Sequence, residues 1–258
     1  MIDTHCHLCD KRFDKDLAQV FDRAHHVGVT HFVEIAYEPA IWAKGFALAA
    51  DHPNVYLAVG EHPNSAGKVG MEHLPSLREN ARHPRVVAIG EIGLDTFRDY
   101  APIAKQEEWF RVQLALADEV GLPVVIHQRS QVERVMEVLE AATPAAGGVL
   151  HCFDQGIAVM ERAHSIGFKL GLGGVITYGD AALEEAVRRA PEDMLVLETD
   201  APYLEPEPRS LRRNEPSLLT RTIAKLCELR GWEPQQAVEI TRRNSHELFR
   251  IPGIQPSA

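Results

Sequence analysis

The run Ile2-Asp3-Thr4-His5-Cys6-His7 carries two histidines in alternation. On a β-strand successive side chains point to opposite faces, so His5 and His7 share one face and Cys6 takes the other. Two imidazoles fixed side by side on a strand make half of a metal site. Candidates for the other half stand in comparable places: Glu91, His127, His151 and Asp200 each end or follow a short apolar run, as does His62, which stands outside the ligand set. Imidazole nitrogen with carboxylate oxygen suits zinc, magnesium, manganese, nickel or iron, and residue types do not choose among them. Six ligands are more than one tetrahedral catalytic ion needs while keeping a position open for water. Two divalent ions are the natural count, with His5, His7 and Asp200 on one, His127 and His151 on the other, and Glu91 bridging. Ions about 3.5 to 4 Å apart generate hydroxide near neutral pH and stabilise both the attacking and the leaving oxygen. That is hydrolytic chemistry.

The elements that must position these residues alternate along the chain. Phe13, Leu17, Val20, Phe21 and Ala24 are spaced as one apolar face of a helix that ends near Gly28. Strand-like runs follow at His31–Ala36, Val55–Gly60, Val86–Glu91, Pro123–His127, Gly148–His151, Phe168–Leu172 and Met194–Glu198, which with the first run makes eight. Amphipathic stretches separate them, including 39–51, 106–120, 132–139 and 181–190. Eight buried strands with intervening helices predict a parallel sheet covered by right-handed crossovers. The simplest closure is a single-domain (β/α)8 TIM barrel over residues 1–252. The alternative, an open doubly wound sheet, is disfavoured by the absence of a Gly-x-Gly-x-x-Gly turn after the first strand. In a barrel the carboxyl ends of the strands converge on one mouth, and every candidate ligand falls at such an end. Two helical patterns, 217–230 and 234–249, close the chain, and Gly253–Ala258 reads as a loose tail.

Composition bounds the partners. Over 258 residues the chain is 45% hydrophobic and 25% charged, as ordinary globular domains are. A net charge of -10 excludes a broad basic surface gripping duplex nucleic acid. The four cysteines, Cys6, Cys9, Cys152 and Cys227, are too few and scattered for a disulfide framework. No apolar run approaches the ~20 residues that span a bilayer. With the first strand beginning at the initiator methionine, a cleavable leader is not expected, and the setting reads as cytoplasmic.

The ordered motifs Asp3-Thr4-His5-Cys6-His7, Gly60-Glu61-His62-Pro63, Gly90-Glu91-Ile92-Gly93-Leu94-Asp95, Pro123-Val-Val-Ile-His127-Gln-Arg129, His151-Cys152-Phe153 and Glu198-Thr199-Asp200-Ala201-Pro202-Tyr203-Leu204 resemble the signatures of TatD-like metal-dependent deoxyribonucleases of the amidohydrolase superfamily. The resemblance runs almost from end to end. It implies a (β/α)8 barrel and a divalent-metal-dependent phosphodiesterase, with 3′-to-5′ exonucleolytic cleavage of single-stranded DNA ends as the expected activity. It also implies that His5, His7, Glu91, His127, His151 and Asp200 are metal ligands, that Asp200 orients the attacking water and takes its proton, and that His62 contacts or protonates the scissile phosphate. Two departures stand out. Ser130 occupies a place where the family often has an acid, so its support of the site is missing or replaced. Glu61 stands where the family is usually apolar or small, and alternation from His62 turns it toward the helices, where a cation is expected to pair with it.

Nucleic acid would have to be held locally. Arg209, Arg212 and Arg213 after the eighth strand and Arg129 after His127 match phosphate oxygens. Tyr203 and Phe153 offer aromatic faces to unpaired bases. The structural alternative is that these arginines pair with Glu205, Glu207 and Glu215 and that Tyr203 packs its loop. A rival reading is a superfamily hydrolase of another ester, amide or phosphoester; a second is a metal-holding scaffold without turnover. A monomer or weak oligomer is expected.

Overall fold

In the computed structural model, which describes residues 1–209 and 213–251, the eight apolar runs form one parallel sheet in sequence order. The strands are β1 (Ile2–Cys6), β2 (His31–Ala36), β3 (Val55–Val59), β4 (Val86–Asp95), β5 (Val124–Arg129), β6 (Gly148–Leu150), β7 (Phe168–Leu172) and β8 (Leu195–Leu197). Between them run α1 (Leu17–His26), α2 (Pro39–Asp51), α3 (Leu74–Asn80), α4 (Ile103–Val120), α5 (Val132–Ala141), α6 (Ile157–Ser165) and α7 (Ala181–Arg189), and α8 (Leu219–Arg230) and α9 (Pro234–Phe249) follow β8. This is the (β/α)8 barrel in a single domain. Phe13 departs from the helical reading: it precedes α1 and is fully buried, with the Arg213 guanidinium 4.5 Å from its ring centroid. The 253–258 tail and Arg212 lie outside the described residues.

Closure depends on a seam between β1 and the chain after β8. Cys6 and Ala201 form a parallel bridge, His7 N–H donates to Ala201 C=O at 2.7 Å, and Asp200 N–H donates to His5 C=O at 2.8 Å. Beneath them the buried Asp3 carboxylate accepts from Thr199 N–H at 3.0 Å and Thr199 Oγ1 at 2.6 Å. The seam therefore sets His5 and His7 beside Asp200, residues nearly two hundred positions apart in sequence.

Alternation carries the other side chains to the same mouth. The barrel interior is filled by Val33, Ile35, Tyr56, Ala58, Val125, Val149 and Val196, with Leu248, Phe249 and Ile251 from the end of α9 in the same cluster. Two residues on from such positions stand His127 and then Arg129, His151, and Glu198 followed by Asp200. Relative to β5, the register of β4 slips between Gly90 and Ile92. Ala88 before the slip and Glu91 after it both face inward, the way bulges re-aim side chains beside functional sites.

Buried amides from the helices satisfy the strand ends. Gln106 of α4 takes both backbone groups of Asp95, at 2.8 and 2.9 Å, and Gln113, two turns on, does the same for Glu61 at 2.7 and 3.1 Å. Asn214 donates to Thr199 C=O at 2.7 Å. Each bond fixes a backbone that ends at or beside a candidate ligand.

Glu61 corrects an expectation. Its carboxylate is buried, yet neither oxygen has a hydrogen-bond partner and no cation pairs with it among the described residues. Burial, with the nearby charge of Glu38, pushes this carboxyl up to about 8 from an ordinary 4.5. A folded-state value above the unfolded one means that the folded chain binds the extra proton between those limits, so stability falls as pH rises from about 4.5 to about 8. Glu61→Gln is expected to melt with the parent near pH 4.5 and several degrees above it near pH 8.5 in paired thermal scans; a pH-independent difference would contradict this assignment.

Candidate metal centre

One carboxylate stands at the centre of the mouth. Glu91 Oε1 lies 2.5 Å from His127 Nδ1, 3.2 Å from His151 Nε2 and 3.6 Å from His62 Nε2, and Glu91 Oε2 lies 3.5 Å from His5 Nε2. Asp200 Oδ1 faces the other side of the pair from β1, 3.2 Å from His7 Nε2 and 3.6 Å from His5 Nε2. The imidazoles of His5 and His151 stack at 3.7 Å between centroids. Three groups of donors have ligand atoms within 4.8 Å of one another: His5, His7 and Asp200; His62, Glu91 and His127; and His5, His151 and Glu198. The structure thus brings together all six expected ligands, with His62, the expected phosphate contact, and Glu198 beside them.

The buried nitrogens of this cluster test whether a cation fits. Both ring nitrogens of His5 and Nδ1 of His7 are buried without a hydrogen-bond partner. Buried polar groups are nearly always satisfied, so such orphans on adjacent imidazoles facing two carboxylates suit a divalent ion. Burial alone would raise the Glu91 carboxyl, but the charges of His151, His127, His62 and His5 outweigh it and hold it well below the usual carboxylate range. Asp200 behaves alike: burial raises it, and the hydrogen bond from His7 with the charges of His151, His7 and His5 keeps it low. Both acids are thereby held toward the ionised form, the form that ligates a cation.

Carboxylates behind the histidines select which nitrogen faces inward. His127 turns Nε2 to Asp95 Oδ2 at 3.2 Å, which leaves Nδ1 toward Glu91. His151 turns Nδ1 to Glu198 Oε1 at 3.2 Å, which leaves Nε2 inward. Glu198 is fully buried and also accepts Cys152 N–H at 2.6 Å. A Cβ on Gly171 would stand 2.1 Å from its Oε2, so a glycine there is what admits the side chain. Sequence reading missed Asp95 and Glu198. The available signal was an acid two residues before Asp200, and one four residues after Glu91, on the same strand face. Asp95 also answers the question raised by Ser130, which is exposed in a left-handed turn at φ 62°: the acid that supports His127 comes from the neighbouring strand.

His62 has a different character. Its Nδ1 accepts the backbone N–H of Asn64 at 3.0 Å, so in the neutral ring the proton sits on Nε2, the atom that faces Glu91. That tautomer points a donor into the site.

The expected substrate contacts divide. Arg129 ends β5 on the same face as His127, and Tyr203 is 43% exposed with its ring edge-on to His7 at 5.6 Å. Phe153, by contrast, is fully buried in the layer between sheet and helices and offers no face to a base. The left-handed backbone at Cys152, φ 48°, carries the chain away from the mouth at that point. Arg213 is also withdrawn: it forks onto Asp16 at 2.8 Å with both terminal nitrogens and straps the loop after β8 to the one after β1. All four cysteines are free.

Comparison with known proteins places this geometry. A family profile described as TatD related DNase matches residues 2–250. The chain belongs to the TatD family. A Bacillus subtilis TatD relative named "Uncharacterized metal-dependent hydrolase YabD" is 36% identical, over 97% of this chain and 99% of its own. A Rahnella relative named "3'-5' ssDNA/RNA exonuclease TatD" is 35% identical, over 97% and 98%. The crystal structure of the TatD homologue YjjV from Escherichia coli superposes with a TM-score of 0.93 at 33% identity, covering 98% of both chains. As a TatD protein the chain is a metal-dependent hydrolase acting on ester bonds. Among the described residues no helix is long and apolar enough to cross a membrane.

Carboxylates that orient metal-binding histidines typically change affinity about 10- to 100-fold when removed. Glu198→Gln is accordingly expected to weaken zinc or manganese binding by about tenfold or more, read by competition with a chromophoric chelator, with the circular dichroism spectrum unchanged. Parental affinity in this variant would contradict the role given to Glu198.

Proposed function

We propose that this TatD protein cleaves phosphodiester bonds of single-stranded nucleic acid from the 3′ end, using two divalent ions held by His5, His7, Glu91, His127, His151 and Asp200. The observation that carries the reading is the central Glu91 carboxylate, contacted by imidazoles from both sides, as a bridging ligand is. Charge supports the count of ions: the four carboxylates Glu91, Asp95, Glu198 and Asp200 balance two divalent cations. Polarity and substrate are supported by the relatives named 3'-5' ssDNA/RNA exonucleases. The reading takes the protein as a monomer or weak oligomer in a cytoplasmic setting.

Divalent ions at this centre supply activation of water near neutral pH and positive charge at the reacting phosphate. The protein's own groups do the rest. Asp200, held toward the ionised form beside His5 and His7, orients the attacking water and takes its proton. His62 presents Nε2–H to a non-bridging or leaving oxygen of the scissile phosphate, held in that pose by Asn64. Arg129 adds charge-assisted hydrogen bonds to a phosphate oxygen.

The test is an end-labelled single-stranded oligonucleotide assay on purified protein, run beside a panel of small esters and amides. Cleavage is expected to proceed from the 3′ end, to stop with chelator and to return with manganese, magnesium or zinc. Cleavage indifferent to chelator, or turnover confined to the small-ester and amide panel, would overturn the reading. His62→Ala separates donor from ligand: kcat is expected to fall about a hundredfold while the metal content measured by plasma emission stays at the parental value. Loss of an ion in this variant would make His62 a ligand instead.

A further inference from the structure

Two arginine-aromatic pairs flank the mouth on opposite sides. On one side the Arg129 guanidinium lies 3.7 Å from the centroid of Phe97, whose ring is 56% exposed on the loop after β4. On the other the Arg12 guanidinium lies 4.2 Å from the centroid of Tyr203, 43% exposed on the loop after β8. In an eight-stranded ring closed between β8 and β1, the β4–β5 edge and the β8–β1 edge are half a circumference apart. A line between the pairs therefore crosses the barrel mouth.

Each pair is anchored to the metal centre by one short link. Asp95 accepts Phe97 N–H at 2.8 Å through Oδ1 while Oδ2 faces His127 Nε2. Tyr203 N–H donates to Asp200 C=O at 2.8 Å, and its ring meets His7 edge-on. Arg12 is held over the ring by a fork onto Asp10 at 2.9 Å. Arg129, stacked on Phe97, makes no side-chain hydrogen bond or ion pair with the described residues, so its donors are free for an anion. Large exposed aromatic rings backed by guanidinium groups are what unpaired bases and their phosphates select, since every base has a π-face and the contact ignores sequence.

We propose that Phe97 with Arg129 and Tyr203 with Arg12 are two stacking platforms for a single-stranded polynucleotide that spans the mouth, with nucleotides held on both sides of the scissile phosphate. This rests on the nuclease reading of the site and adds to it the residues that select an unpaired chain. A duplex cannot use both platforms, because its bases are turned to each other. A strand of several nucleotides is expected to use both, a dinucleotide one.

The experiment measures anisotropy of fluorescein-labelled oligothymidylates, two and six residues long with phosphorothioate linkages, on the metal-loaded protein, alongside cleavage of the phosphodiester versions. The parent is expected to bind the hexamer at least tenfold more tightly than the dimer. Phe97→Ala should reduce that preference about tenfold, and Phe97→Trp should keep it. A hexamer preference unchanged in Phe97→Ala and in Tyr203→Ala, or blunt duplex bound as well as single strand, would overturn the proposal. Phe97-dependent binding without any cleavage would uphold the platforms and reject the reaction; cleavage with Phe97-independent binding would do the reverse.

Discussion

Four imidazoles, from β1, β5 and the chain just beyond β3 and β6, converge on the buried carboxylate of Glu91. An ionised carboxylate in such a place is costly unless it is paired, and His5 beside it, like its neighbour His7, has buried ring nitrogens without a hydrogen-bond partner. The arrangement is a liability for a barrel with no other task, and a ligand set for one that holds cations. Burial, the inward turn of each strand end and the carboxylates behind the histidines all follow from keeping this cluster in register.

The fold meets that requirement with two kinds of constraint. Apolar packing inside the barrel, including the end of α9, fixes which face of each strand looks inward. Polar pins then fix how far each strand end reaches: Asp3 on Thr199 at the seam, Gln106 and Gln113 of α4 on β4 and the end of β3, and Asn214 behind Asp200. On the loops around the mouth the backbone adopts the left-handed region without glycine at Ser130, Cys152, Asp200 and Leu204. Such residues cost on the order of 1–3 kcal/mol each and cluster where a side chain must be aimed. Asp200 is itself a proposed ligand and base, and Cys152 follows another, so the strain sits where the chemistry is.

Much of this was legible in the chain. Alternation alone puts His5 with His7, and His127 with Arg129, and strand-end placement brings them to one mouth. The parallel rhythm of apolar runs gave the barrel. What was hidden depended on distances across strands. Asp95 and Glu198 read as ordinary acids until their neighbours His127 and His151 are seen 3.2 Å away. Phe153 read as a platform because it follows His151, and only the left-handed turn at Cys152 removes it. Arg213 read as a phosphate contact because it lies near Asp200 in sequence, whereas Asp16, from the loop after β1, captures it. Phe97, the exposed ring on the far side, was not singled out: its partner Arg129 reaches it from the adjacent strand.

The central claim is that the Glu91 carboxylate joins two cations. Its most direct test is an anomalous difference map from crystals of the manganese- or zinc-loaded protein. Two peaks are expected about 3.5 to 4 Å apart, one beside His5, His7 and Asp200, the other beside His127 and His151, with the Glu91 oxygens between them. A single peak away from Glu91, or none within reach of it, would contradict the account.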